Sequence, residues 1–439
     1  VMESRTFVSM LHLLEIALID CAGEFAALTL FQNESLSVSR AVLRSLLQIV
    51  TSVRASSWLL GQLADGVIDI VEAFQSRKCY EVEASYKKEV LTSLVSAMIS
   101  RYEKEDESTK GVLYLLLLQL LQLGCVNTLT CSYFHKGEPA VPYFQLFTAV
   151  YALLPSLLAM LARDVSSQDA GCSSAAASLL LLCLTHDDEG TVTQYVLQNT
   201  GVLMALLSSL DQLELSQLES SQRLYHQSFL LLLTLSHTTF GAMTLLQHSL
   251  FGYITHCPLL ASLRNPESLV ALNALSPSQK KALREVLKLV LQLALSVECS
   301  VRSIRTVNVE LLSIVLALSP LTSFLFKDRE NEDELFLEVL GLYLGVLQVV
   351  ANNREKTLEM LNGYENVLKN EVVSLLNYVS KLERVCRSIN ANVKKGVEFS
   401  DSKQKEVLYL VIVENGMLFM SKMGWKIGDE YLRAFGVKN

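Results

Sequence analysis

Leucine-rich stretches of helical length recur almost from end to end of this chain, separated by short polar loops. Gly111–Val126 (GVLYLLLLQLLQLGCV), Ser228–Leu235, Leu283–Val297 and Leu335–Val350 are examples. No stretch sustains the two-residue alternation of a strand, so the chain is expected to fold by stacking helix on helix. In Lys281–Val297 the apolar positions 282, 283, 286, 287, 289, 290, 291, 293, 294 and 295 cover nearly the whole circumference. A helix of that kind must be covered on two or more sides, as in the inner layer of a solenoid. The expected fold is all-α: an irregular α-solenoid of stacked antiparallel helices, a HEAT/armadillo-like superhelix. Stacks of this length usually serve as platforms for other proteins.

Helices are expected near 4–30, 36–53, 57–75, 83–104, 109–125, 143–163, 170–186, 191–210, 216–235, 239–250, 277–297, 301–318, 333–351, 354–362, 364–393, 401–422 and 425–435. Ser276-Pro277-Ser278-Gln279 supplies a capping serine, a proline at the first helical position and a glutamine three residues after the cap. Asn352-Asn353-Arg354-Glu355 and Asp401-Ser402-Lys403-Gln404 repeat that offset. The charged runs 103–110 and 327–334 read as exposed loops. Leu368, Val372, Leu375, Val379, Leu382, Cys386, Ile389 and Val393 alternate four and three apart, a heptad seam that either packs on neighbouring helices or receives another chain's helix. No Gly/Ser run, Pro-rich segment or strict short repeat marks a linker, and no proline precedes Pro139. One continuous superhelix is expected, with N-terminal helices in 1–135, central helices in 136–326 and C-terminal helices, including the heptad helix, in 327–439.

Charge argues against nucleic acid as a direct partner. Of 37 basic and 45 acidic residues, only Arg163 and Arg223 are basic between Val150 and Leu263, whereas a phosphate-binding surface needs clustered Lys and Arg. The nine cysteines are scattered and mostly set in apolar helical pattern, which suits buried free thiols. No secretory signal is visible, and a first residue of Val suggests a piece of a longer chain. Gly111–Val126 is uncharged for 16 residues and carries Gln119 and Gln122, against about 20 apolar residues for a membrane span. A buried helix is the expectation there, with no direct membrane span.

Motifs that carry chemistry are weak. Cys125, Cys131 and His135 are spaced C-x5-C-x3-H, wider than structural zinc sites favour, and His256-Cys257 is an isolated pair. His186-Asp187-Asp188-Glu189 lacks the calcium-loop pattern. Gly61-Gln62-Leu63-Ala64-Asp65-Gly66 lacks the Lys-Ser/Thr ending of a phosphate loop, and no serine sits on a strand-turn-helix elbow. No catalytic residue, cofactor or metal is expected. An enzyme would need a site assembled from distant residues, and stoichiometric zinc would promote that reading.

The run AASLLLLCLTHDDEGTVTQYVLQNTGVLMALLSSLDQ (176–212), followed by FLLLLTLSHTTFGAMTLLQHSLFGYITHCPLL (229–260), resembles the C-terminal half of the largest inner-ring scaffold nucleoporins of the nuclear pore complex. The likeness rests on a leading helix, a Gly-Val-Leu restart at Gly201, and Phe240-Gly241-Ala242-Met243 before Ser249-Leu250-Phe251-Gly252-Tyr253-Ile254. It covers about a fifth of the chain. It implies a structural α-solenoid at the nuclear envelope that grips an amphipathic helix from a linker nucleoporin and contacts Phe-Gly repeats or transport factors. The family carries no catalytic residues. The alternative is a HEAT/armadillo-like transport or trafficking adaptor for cargo peptides, although Trp58 and Trp425 alone make no tryptophan ladder.

From the residues themselves, a partner-helix groove is expected near the last helices. Leu408, Ile412, Met417, Phe419, Met420, Met423, Trp425 and Tyr431, with Val411 beside them, concentrate apolar, flexible and aromatic side chains there. On that expectation Met420→Glu or Trp425→Glu would block the partner and leave the melt unchanged.

Overall fold

The computed structural model describes residues 61, 64, 84–134, 153–185, 187, 190–214, 218–219, 222–262, 274–301, 310–318, 334–361, 363–392 and 400–425. Among them every regular element is helical and none is a strand. In chain order the helices are α1 (Ala84–Arg101), α2 (Glu107–Phe134), α3 (Leu154–Asp164), α4 (Ala170–Thr185), α5 (Thr191–Asn199), α6 (Val202–Leu210), α7 (Gln222–Ser236), α8 (Thr239–Gln247), α9 (Leu250–His256), α10 (Pro258–Ser262), α11 (Pro277–Ser300), α12 (Glu334–Val350), α13 (Arg354–Leu361), α14 (Glu365–Asn392) and α15 (Ser400–Lys422). A 3₁₀ turn, Ala351–Asn353, joins α12 to α13, and 310–318 are also helical. The helices expected near 4–30 and 36–53, and the one near 425–435 beyond Trp425, lie outside the described residues. Of the one near 57–75, only Gly61 and Ala64 are described, both helical.

Several boundaries follow from local chemistry. The Ser276 hydroxyl accepts the Gln279 N–H at 3.1 Å while the Gln279 side chain accepts the Ser276 N–H at 3.1 Å, with Pro277 behind the cap. This reciprocal box satisfies two otherwise orphaned donors. The single helix expected over 191–210 is two, because Thr200 is extended (φ −127°, ψ 159°) and Gly201 follows it. The helix expected over 239–250 also breaks, at Ser249, whose φ of 57° is left-handed. The charged run 103–110 is a loop only as far as Asp106: its carbonyl accepts the Lys110 N–H at 3.0 Å, and Glu107 opens α2, where the helix dipole favours an acid. Asn352 lies inside the 3₁₀ turn. Arg354 is helical at φ −53°, ψ −46°, so the chain passes from the 3₁₀ turn straight into α13.

The chain divides into two compact units, residues 1–205 and 206–439, with the boundary inside α6. In the first unit α2 packs along α4, with α3 against α4 and α5. Glu107 Oε2 accepts the Ser167 hydroxyl at 2.6 Å and the Asp169 N–H at 3.2 Å, which ties the starts of α2 and α4 together. A Cβ at Gly111 would stand 3.0 Å from the Cys172 backbone, so these two helices approach as closely as glycine permits.

In the second unit four helices form a row: α7 packs on α11, α11 on α12, and α12 on α15. Paired positions rise together along each contact. Gln222 bonds to Glu285 and Ser236 to Ser296; Lys288 bonds to Glu338, and Gly345 faces Leu295. Asn415 donates to the Gly341 carbonyl and Lys422 to that of Gln348. Neighbours in the row therefore run parallel. The antiparallel arrangement occurs between α14 and α15, where Leu376 meets Gly416 and Glu365 meets Trp425. That is the stacking of an irregular α-solenoid, in which hairpin partners oppose and successive layers repeat direction. Leu283, Val286, Leu287, Val290, Leu291, Leu293, Ala294 and Val297 of α11 are buried around its circumference, as its pattern requires. Glu334–Glu359 is long and apolar enough to cross a membrane, but two-thirds of its most apolar window (67%) is buried inside the protein, as in a core helix.

Close approach at Gly241 gives a direct check. A Cβ there would lie 1.9 Å from the Leu235 carbonyl oxygen, whereas one at exposed Gly201 would meet nothing within 4 Å. Gly241→Ala should lower stability by about 1–3 kcal/mol in urea unfolding. Gly201→Ala should change it by less than about 0.5 kcal/mol.

Candidate functional site

The last described helix carries apolar residues on both of its sides. At 100° per residue, Tyr409, Ile412, Val413, Gly416, Phe419, Met420 and Met423 share one face of α15. All are buried, and this face packs on α12 and α14. A Cβ at Gly416 would come within 2.6 Å of a Leu376 methyl. The opposite face carries Val407, Leu410, Val411 and Leu418, which are 58%, 40%, 41% and 40% exposed, with exposed Glu414 near its centre.

Polar bonds clamp the end of α15. Lys422 donates to the Gln348 carbonyl at 3.3 Å and to Asn352 Oδ1 at 2.7 Å, placing a cation at the negative end of α12. Gly424, at φ 68°, turns the chain where a Cβ would strike the Arg354 guanidinium at 2.9 Å. Trp425 then folds back, donating Nε1–H to Glu365 Oε1 at 2.9 Å and meeting Phe419 edge-on at 5.4 Å between centroids.

This geometry corrects the expected groove. Ile412, Phe419, Met420, Met423 and Trp425 are 0–8% exposed and fill the core between α15 and its neighbours. They hold the helix down and do not line an open trench. Leu408 and Met417 are half-buried at the margins of that core. Tyr431 lies outside the described residues. Val411 alone, of the residues singled out there, is on the exposed face; Val407, Leu410 and Leu418 complete it. The first half of the heptad seam (Leu368, Val372, Leu375, Val379) is likewise buried on α15, so it packs within the chain. The side chains of its second half are outside the description.

A second constellation, in the first unit, was not legible in the sequence. The buried Asp164 carboxylate accepts the Tyr102 hydroxyl at 2.7 Å and the Tyr114 hydroxyl at 2.6 Å, bringing the ends of α1, α2 and α3 to one group. Lys110 Nζ lies 4.0 Å from the Tyr102 ring centre. An exposed Arg163–Glu103 pair, at 3.1 Å, lies beside it. Burial first, and the bond to Asp164 second, push both phenols far above their ordinary range. They therefore stay protonated and donating near neutrality, so the cluster acts as a fixed bracket and not as an acid–base centre.

The remaining candidates have structural partners. Asp187 accepts the Thr193 N–H at 2.7 Å and the Thr191 hydroxyl at 3.3 Å, capping α5. His256 Nδ1 is 2.8 Å from the Gly252 carbonyl, and the adjacent Cys257 is buried. Among the described residues no group of three or more His, Cys, Asp or Glu is placed to hold a metal. The side chains of Cys125 and Cys131, and all of His135, lie outside the description. Cys172 and Cys183 are buried free thiols, and Cys299 is exposed.

No family model matches the chain, and no curated protein does. Among solved structures it is similar to a circular tandem repeat protein with novel repeat topology and enhanced subunit contact surfaces. That match covers 98% of this chain and 92% of the other at 12% identity and a TM-score of 0.26, too distant to carry an argument.

Two measurements follow from these contacts. A double-mutant cycle between Tyr114→Phe and Asp164→Asn should give a coupling of about 1.5–3 kcal/mol, the size of a hydrogen bond to a charged acceptor. Burial pushes the Cys172 and Cys183 thiols from 9.0 up to about 12. The unfolded chain thus loses these protons first, and stability that is complete below about pH 9 falls as pH rises toward about 12. Urea midpoints between pH 7.5 and pH 10.5 should decrease by this route, as read with reduced protein.

Proposed function

We propose that this chain is a non-catalytic helical scaffold and that the outward face of α15 receives an amphipathic helix from a partner protein. One observation carries the proposal: α15 is apolar nearly all round but is covered on one side only. Val407, Leu410, Val411 and Leu418 fall within one face, the spacing that a groove-seeking helix reads through anchors three and four residues apart. By comparison, α11 has a neighbour on each flank, α7 and α12, and so does α12, between α11 and α15. Exposed Glu414 in the middle of the apolar face favours a partner that places Lys or Arg opposite it.

The narrower reading rests on the resemblance at 176–212 and 229–260. On that reading the chain is part of a large inner-ring nucleoporin at the nuclear envelope, its partner is a helix of a linker nucleoporin, and Phe-Gly repeats make weaker contacts. The segments that carry the resemblance form α4 to α10, a succession of short helices with breaks at Gly201 and Ser249. The scarcity of basic residues between Val150 and Leu263 supports protein over nucleic acid as the partner.

Val411→Glu and Leu418→Glu should each weaken binding of the linker-nucleoporin helix by about tenfold or more, equivalent to about 1.4 kcal/mol, with the thermal melt near wild type. Met420→Glu, which buries a charge in the core, should instead lower the melt. Calorimetry showing equal affinity for wild type and both surface variants would remove this face from consideration. Binding of an extended cargo peptide in place of the helix would favour the adaptor reading.

A further inference from the structure

Ser276 combines a recognition dipeptide with a contact that added charge would break. It precedes Pro277, its backbone is extended at φ −63°, ψ 158°, and Lys280 and Lys281 follow within the first turns of α11. Ser276 is half-buried, while Pro277 and Ser278 are exposed. Its hydroxyl lies 3.3 Å from Glu219 Oε1, and the Ser278 hydroxyl donates to the same oxygen. Glu219 follows Leu218, a fully buried residue four positions before α7 begins. Glu219 therefore fastens the entry to α7 onto the head of α11.

We propose that Ser276 is a phosphorylation site for a proline-directed serine/threonine kinase, and that the phosphate releases Glu219 from the head of α11. The Ser276 oxygen attacks the γ-phosphorus of ATP and a new P–O bond forms. The bond to the β–γ bridging oxygen breaks, ADP leaves, and the hydroxyl proton passes to the kinase's base. The product carries about −1.5 to −2 charge at neutral pH. It loses the hydroxyl hydrogen that faced Glu219 and sets like charges within contact distance. In the other direction, the positive end of the α11 dipole, with Lys280 and Lys281 in its first turns, favours the phosphate where it stands. The modification thus holds α11 intact while detaching the α7 end. Of the remaining ties between these helices, Gln222–Glu285 is the next along, and Ser236–Ser296 lies at the far end. This inference does not depend on the partner proposed for α15.

The test uses the full chain, a purified cyclin-dependent-type kinase and radiolabelled ATP, with sites mapped by peptide mass spectrometry. Label is expected at Ser276, reduced about tenfold or more in Ser276→Ala and in Pro277→Ala; the latter keeps the hydroxyl and a helix-compatible first residue. Circular dichroism should be unchanged in both variants. Amide exchange over 222–226 should accelerate by about threefold or more on phosphorylation of wild type, and by less in Glu219→Gln. Absence of label at Ser276 in the folded chain, label confined to the other Ser-Pro pair at Ser319-Pro320, or equal labelling of Pro277→Ala would overturn the site. Labelling at Ser276 with no change in exchange would overturn the release of Glu219.

Discussion

A helix that is apolar around most of its circumference cannot rest against one neighbour alone; water must be excluded from both flanks. That requirement organises the C-terminal unit. Helix α11 buries residues all the way round, and it lies between α7 and α12. Helix α12 buries Phe336, Leu337, Leu340, Tyr343, Leu344, Leu347 and Val350 between α11 and α15. Each such leucine or valine removed from water contributes about 1.5–3 kcal/mol, so the row is held by many equivalent contacts and no single one. The same requirement makes α15 distinctive, because its second apolar face is left in solvent.

Polar groups in this structure fix register while burial supplies the driving force. The Ser236 hydroxyl bonds to that of Ser296, and Ser300 donates to the Ser236 carbonyl at 2.7 Å, which pins α7 along α11. The half-buried Lys288–Glu338 pair does the same between α11 and α12, as Lys422 does between α15 and α12. In the first unit the role falls to Asp164 with its two tyrosines. A charge buried in this way is tolerable only when its lone pairs are satisfied, and here two phenols supply the bonds. Such groups select one stacking out of the many that leucine-rich surfaces would otherwise allow.

Much of this was legible because it is local. The full-circumference pattern of 281–297 foretold a helix with two covered flanks, and the Ser276 box marked where it starts. The breaks at Gly201 and Ser249 are not legible, since each interrupts an apolar pattern that reads straight through it. The side of α15 that stays open is hidden from the sequence for a related reason. Large flexible and aromatic side chains suit a partner contact and a core equally, and here Phe419, Met420, Met423 and Trp425 are the volume that fills the α12–α14–α15 core. The smaller Val407, Val411 and Leu418 face outward. Both faces of α15 are apolar, so composition could not say which one the chain covers. The Asp164 bracket joins residues 50 and 62 positions apart and has no local signature.

Everything in the functional reading depends on α11 and α12 being enclosed on both flanks, with α15 at an open side. Native-state amide hydrogen exchange measures this residue by residue. Amides of 283–297 and 336–350 should be the slowest in the C-terminal unit and should open together in one cooperative step, with 405–418 exchanging faster through smaller openings. Faster exchange in 283–297 than in 405–418, or independent opening of the two central helices, would contradict the account.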